Sequence, residues 1–153
     1  MPDERPVDPD VDLSVPAQRA ELRQHEWDLL GVIAAGGILG AEARYGIGRW
    51  ISHPVATMPW STVLINIIGS LLLGGVMALI DTRGAPRLLR PFVGVGILGG
   101  FTTFSTFAVD VDQLLHAHRA AVAAGYLAVT VLGCLAAVTG AYRAGARLLR
   151  AAS

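Results

Sequence analysis

The sequence predicts an all-helical membrane protein with four transmembrane helices, the third of them broken at its middle. Of the 153 residues, 53% are hydrophobic, and the mean hydropathy is +0.53. Such a composition is too apolar for a soluble domain of this length. Uncharged segments also recur along the chain, each close to the ~20 residues that cross a bilayer. The segment 94–110, which is uncharged up to Asp110, joins a glycine pair to hydroxyl and phenyl side chains and is a poor helix former.

The predicted transmembrane domain covers residues 27–142. Its spans run over about 29–47, 60–80, 92–109 and 120–142. The second and fourth contain no charged residue, as expected of helices in lipid.

Small residues recur on one face of each of the first two spans. Gly36 and Gly40 are four residues apart in the first span, and Ser70, Gly74 and Ala78 continue the same spacing in the second. Small residues at this spacing let helices approach closely in membranes. Both spans are therefore predicted to pack tightly against neighbours.

Charge is distributed unevenly between the ends of the chain. Residues 1–28 hold eight acids and three arginines, whereas the rest holds four acids and nine arginines. Residues 1–26 are expected to form a disordered acidic tail, and residues 143–153 a basic tail. Near the spans, eight arginines lie on the side of the termini and three on the other side. The positive-inside rule then places both termini in the cytoplasm. The protein is expected to be a multi-pass protein of the inner (plasma) membrane, in contact with the lipid bilayer and without a nucleic-acid partner.

Residues 94–110 are the candidate functional segment. The helix is expected to break at Gly99 and Gly100, because glycine has low helix propensity. Carbonyl groups freed by a break suit a small hard cation, and hydroxyl or amide donors suit a small anion. Phe104 and Phe107 could turn positive ring edges toward an anion, although a stripe of phenylalanines also fits a core or a lipid-facing surface.

Asn66 is the strongly polar side chain of the second span. It could donate hydrogen bonds into a pore, or it could hold two helices together. The hydroxyls at 102–106 have a comparable alternative, since serine and threonine in membrane helices often bond to their own backbone.

The sequence offers little sign of catalysis, and no enzyme activity is predicted. A nucleophile at a recognisable distance from a base is missing, as is a phosphate-binding motif. His116 and His118 have no third ligand nearby in the sequence, which argues against a metal site. The single cysteine, Cys134, lies in an apolar run and is interpreted as a packing residue.

Three motifs resemble the CrcB/Fluc family of fluoride channels. They are GAEARY at 40–45, LINIIGSLLLG at 64–74 and GILGGFTTFSTF at 96–107, of which the last is the most specific. The resemblance implies an antiparallel dimer with two fluoride pathways along the subunit interface. It also implies a structural sodium ion (Na+) on the dimer axis, held by the backbone carbonyls of Gly99 and Thr102.

By the same resemblance, the protein would let fluoride leave the cell passively and so relieve fluoride toxicity. The fluoride pathway would include a vestibule cation, a pore amide, two phenylalanines and several hydroxyls. In chain order these are Arg44, Asn66, Thr103, Phe104, Ser105, Thr106, Phe107, Tyr126 and Thr130.

Departures from the family pattern keep two alternatives open. Asp110 stands where the family often has glutamate, and Glu42 in the first span has no clear counterpart. One alternative is a small dual-topology multidrug-type exporter, with Glu42 as its carboxylate. The other is a subunit that does not conduct without a paralogous partner. The uneven arginine distribution favours insertion in one direction, and hence an antiparallel partner that is a related chain and not a second copy.

Overall fold

The computed structural model describes residues 16–51, 54 and 57–151, with side chains described from residue 27 onward. This part of the chain is helical and contains no strand, which confirms the predicted all-helical class. Five helices are defined: α1 (Pro16–Trp50), α2 (Trp60–Arg83), α3 (Arg90–Ile97 continued by Leu98–Phe101), α4 (Ser105–His116) and α5 (Ala120–Ala151).

At both ends of the described chain, helix extends into residues predicted to form tails. Residues 1–15 of the expected acidic tail lie outside the described residues, but α1 already begins at Pro16. Proline is well suited to a first helical position, and the alanine, glutamine, arginine and glutamate that follow are good helix formers. At the other end, α5 continues through the expected basic tail to Ala151.

Within the residues that the structure describes, three helical stretches are long and apolar enough to cross a membrane. They are Trp60–Arg83, Arg90–His116 and Ala120–Ala151. The predicted first span, 29–47, does not reach the same hydropathy. Its many glycines, together with Glu42 and Arg44, lower the mean. α1 nevertheless packs along α3, which belongs to the second of these stretches.

Glycines bring α1 and α3 into backbone contact. A Cβ atom added at Gly36 would lie 2.9 Å from the Cα of Gly96, and one added at Gly40 would meet the carbonyl of Ile97. Because a real Cβ is essentially never found that close to backbone, only glycine fits these positions. The predicted small-residue face of the first span is thus confirmed.

Small residues also bring α2 and α5 into close contact. A Cβ atom at Gly74 would lie 3.0 Å from the backbone nitrogen of Tyr142, and Ala78 is fully buried. A core cluster lies further along the pair, where α4 packs against both helices; it contains Val63, Phe107 and Tyr126. These contacts fix α4 relative to the two long helices.

The third predicted span is broken, but at a different position from the one expected. Gly99 and Gly100 remain helical, and the break falls at Thr102, Thr103 and Phe104. A Cβ atom at Gly100 would meet the backbone of Gly37, so the glycine serves close packing on α1. The first part of the span, Arg90–Ile97, has the wider turns of a π-helix, in which the N–H of Leu98 reaches the carbonyl of Val93.

Candidate functional site

A cavity of about 570 Å³ lies beside the break, between α2, α3 and α5. It is largely apolar, with polar groups at a few positions. Several of the residues predicted for the fluoride pathway line it, among them Asn66, Thr103, Phe104, Phe107 and Thr130. The remaining lining residues are Gly69, Ser70, Leu73, Gly94, Leu98, Gly99, Thr102, Val131, Cys134 and Leu135.

Asn66 closes the break by bonding both backbone groups of Thr103. Its side-chain nitrogen donates to the carbonyl of Thr103 at 3.0 Å, and its side-chain oxygen accepts from the N–H of Thr103 at 2.8 Å. An amide can do this because it carries a donor and an acceptor side by side. The helix-bridging interpretation of Asn66 is therefore confirmed. The second N–H of the Asn66 amide is not used in these two hydrogen bonds, and Asn66 is one of the residues that line the cavity.

Two carbonyls at the break lose their usual helical partners. In a continuous helix the N–H of Thr103 would bond to the carbonyl of Gly99, and that of Thr106 to the carbonyl of Thr102. Instead, the N–H of Thr103 donates to Asn66, and that of Thr106 donates to the side-chain oxygen of Thr103 at 3.1 Å. Both Gly99 and Thr102 line the cavity.

The predicted hydroxyl track is gathered at the start of α4. The Thr103 hydroxyl donates to that of Thr106 at 3.0 Å and lies 3.4 Å from that of Ser105. Together with the N–H of Thr106, these contacts stabilise the first turn of α4, as a capping side chain does. Of the three side chains, only Thr103 lines the cavity; Ser105 and Thr106 are exposed away from it.

Phe104 lies at the surface of the protein, whereas Phe107 lies in its core. Their ring centroids are 5.9 Å apart, and the ring of Phe107 lies 5.0 Å from that of Tyr126. Phe107 is buried, whereas Phe104 is 79% exposed although it lines the cavity. Phe101, the third member of the stripe, is buried in the core, as the ordinary interpretation of the pattern expects.

Asp110 accepts two hydrogen bonds on one carboxylate oxygen. The hydroxyl of Thr62 donates at 2.8 Å and that of Tyr126 at 3.0 Å. The aspartate side chain, although shorter than the glutamate that the family often has here, therefore reaches partners on both α2 and α5. Thr62 was missed by sequence reasoning, because a threonine in the first turn of a helix resembles an ordinary polar end.

Arg44 and Glu42 are not brought to the cavity. Arg44 lies half-buried on α1 and Glu42 is exposed there, and neither belongs to the cavity lining. Thr130, by contrast, lines the cavity with a buried hydroxyl that has no hydrogen-bond partner among the described residues. Cys134, one turn further along α5, also lines it and was interpreted from sequence as a packing residue.

These features define a helical membrane protein with a broken span and a largely apolar cavity at the break. The profile of the family described as "CrcB-like protein, Camphor Resistance (CrcB)" matches residues 31–142. The chain belongs to this family.

Relatives from several bacteria carry one functional name. A "Fluoride-specific ion channel FluC 2" of Thermobifida fusca is 44% identical over 124 residues, which are 80% of this chain and 92% of the relative. One of Nocardia farcinica is 46% identical over 119 residues, covering 75% and 85%. A "Fluoride-specific ion channel FluC" of Nitrobacter winogradskyi is 39% identical over 130 residues, covering 82% and 98%. The predicted family is confirmed, and its named members are channels and not enzymes.

Proposed function

We propose that the protein is a fluoride channel that lets fluoride leave the cell down its gradient. The observation that carries this proposal is the cavity in which Asn66, Phe104 and Phe107 meet at a broken membrane helix. The names of the relatives support the same function.

The path would offer fluoride several weak contacts in place of its hydration shell. The second N–H of Asn66 and the hydroxyl of Thr130 are hydrogen-bond donors at the cavity. The edges of Phe104 and Phe107 carry the positive end of the ring quadrupole. Conduction needs binding that is favourable enough for entry and weak enough for exit, which such a lining supplies. Tyr126 would act from behind Phe107, because its hydroxyl already donates to Asp110.

The sodium ion would be held by the carbonyls of Gly99 and Thr102. Support comes from the hydrogen bonds: the two N–H groups that would occupy these carbonyls donate elsewhere. Free carbonyl oxygens are suitable ligands for a hard cation. A cation there would also favour an anion in the neighbouring cavity by charge.

The channel would be completed by a second, antiparallel subunit. The cavity is open, and Phe104 projects from the subunit surface, as a residue facing a partner would. Four spans with cytoplasmic termini follow if α1 crosses the membrane beside α3. The arginine distribution favours one direction of insertion, so the partner would be a paralogue. Streptomyces avermitilis has relatives named FluC 2 and FluC 3, so more than one such chain occurs within one organism.

The exporter alternative requires a carboxylate in the transport path. Glu42 lies outside the cavity lining, and Asp110 already accepts two hydrogen bonds. Neither carboxylate is therefore placed to exchange with a cationic substrate in the cavity.

Efflux from liposomes tests the proposal. Purified protein in vesicles loaded with fluoride or with chloride should release fluoride rapidly and retain chloride, without a proton gradient. Fluoride release that needs a co-expressed paralogue would identify the protein as one subunit of a heterodimer. Release of neither anion under both conditions would contradict the channel function.

A further inference from the structure

We propose that Cys134 is a modification site inside the anion path, where a small thiol-directed electrophile forms a mixed disulfide and shuts the channel. The inference rests on the proposed function. It arises from the position of the single cysteine of the chain on the wall of the central cavity.

The position of Cys134 follows from the periodicity of α5. Tyr126, Thr130 and Cys134 are spaced by four residues and so lie on one face of the helix. Thr130 and Cys134 both line the cavity, as do Asn66 and Phe104. Cys134 is half-buried, so the residue is not sealed within the packing between helices.

Thr130 indicates that polar solutes reach this level of the cavity. The residue is 5% exposed, and its hydroxyl has no hydrogen-bond partner among the described residues. A buried hydroxyl without a partner costs about 1–3 kcal/mol, so a site of this kind is normally occupied by water or another polar guest. Cys134, one turn away on the same wall, is then reached by water and by solutes small enough to follow it.

The chemistry requires only the thiolate, the reactive form of cysteine. With a methanethiosulfonate, the thiol proton passes to water and the sulfur of Cys134 attacks the reagent's thioalkyl sulfur. A new S–S bond forms between these atoms as the reagent's own S–S bond breaks, and methanesulfinate leaves with that bond's electron pair. The added group then occupies the cavity beside Asn66 and Phe104.

A charged and a neutral reagent test the proposal in vesicles. The charged reagent, 2-sulfonatoethyl methanethiosulfonate, should add one group to the wild type by intact mass. It should lower fluoride efflux about tenfold or more, because the added group occupies the cavity that Asn66 and Phe104 also line. A reducing thiol should restore both the mass and the efflux. Cys134→Ser should show neither change relative to its own untreated efflux.

A relocated cysteine provides the matched control. Leu132 is two residues away on α5, 65% exposed and outside the cavity lining. In Cys134→Ser/Leu132→Cys, neutral methyl methanethiosulfonate should label the thiol without lowering efflux, and the charged reagent should label it slowly, since lipid excludes charge.

Three outcomes separate the possibilities. A wild-type protein that resists the charged reagent would overturn the proposal, as would a labelled protein that conducts normally. If the untreated protein releases no fluoride under any condition, the proposed function fails. In that case rapid charged labelling of Cys134, but not of Leu132→Cys, would still support a water-filled cavity.

Discussion

The side chain of Asn66 takes the place of the helical hydrogen bonds that the backbone of Thr103 would otherwise make. The amide of Asn66, on α2, makes both hydrogen bonds that the backbone of Thr103 lacks at the break. The third span can therefore be interrupted in the membrane without leaving that peptide group unpaired, which lipid would not tolerate.

Replacing Asn66 should destabilise the protein and abolish flux together. Asn66→Leu leaves a buried N–H and a buried carbonyl without partners, at about 1–3 kcal/mol each. We expect a lower melting temperature in detergent and no fluoride efflux. Thr139→Val is the control, since its exposed hydroxyl bonds only within α5; it should be nearly neutral. A melting temperature in Asn66→Leu equal to that of the control would contradict the bridging role.

Substitutions at Phe104 and Phe101 should affect different properties, fluoride conduction at Phe104 and stability at Phe101. Phe104 is 79% exposed, so Phe104→Ile should leave folding and assembly intact while abolishing fluoride efflux. Phe101 is buried, and Phe101→Ile should lower stability by about 1–3 kcal/mol through altered packing. Melting temperature, size-exclusion profile and efflux are measured on both. Normal efflux in Phe104→Ile would exclude this ring from the path.

The contact between α1 and α3 predicts a strong difference between two glycines of one helix. Gly40→Ala would drive a Cβ into the backbone of Ile97 and should destabilise the protein by about 1–3 kcal/mol. Gly46→Ala meets nothing within 4 Å and should be neutral or slightly stabilising, because alanine favours helix. Thermal unfolding of both proteins decides the matter; equal losses would argue against close packing.

The Asp110 network should behave as one unit. Asp110→Ala leaves the hydroxyls of Thr62 and Tyr126 buried without their acceptor, at about 1–3 kcal/mol each. In Thr62→Val/Tyr126→Phe the donors themselves are gone, so adding Asp110→Ala should cost less than it does alone. Additive losses in this cycle, measured by thermal unfolding, would show that the three side chains are independent.

Sodium should stabilise the assembled protein if the carbonyls of Gly99 and Thr102 bind it. Exchanging sodium for N-methylglucamine should lower the melting temperature, because an ion that binds only the folded state adds about 2.7 kcal/mol at a hundredfold excess over its Kd. Potassium at equal ionic strength controls for general salt effects. Identical melting curves in all three cations would remove the proposed site.

Much of the site could be predicted because its residues are unusual for their surroundings. An amide within an apolar span and a phenylalanine pair beside hydroxyls indicated Asn66, Phe104 and Phe107. The position of the break could not be predicted from local propensity. Gly99 and Gly100 are weak helix formers, yet both remain helical, with Gly100 in backbone contact with Gly37 of α1. A side chain 37 residues away bonds to Thr103 instead, and the break falls there.

Contacts between residues far apart in the sequence account for the other differences between the prediction and the structure. The partners of Asp110 come from two other helices, and nothing near Thr62 in the sequence indicates a carboxylate. Arg44 follows the family motif, but its position on α1 places it away from the cavity of a single subunit. Sequence patterns identified the residue types, and helix packing decided which of them meet.

Asn66 lies 37 residues before Thr103 in the chain, and this order has a consequence during synthesis. α2 leaves the ribosome before α3, so the amide is already available when the weak segment arrives. Had the order been reversed, the gap at Thr103 would have waited in lipid for its partner. The order of synthesis thus lets the peptide groups of Thr103 at the break be paired as soon as α3 is made.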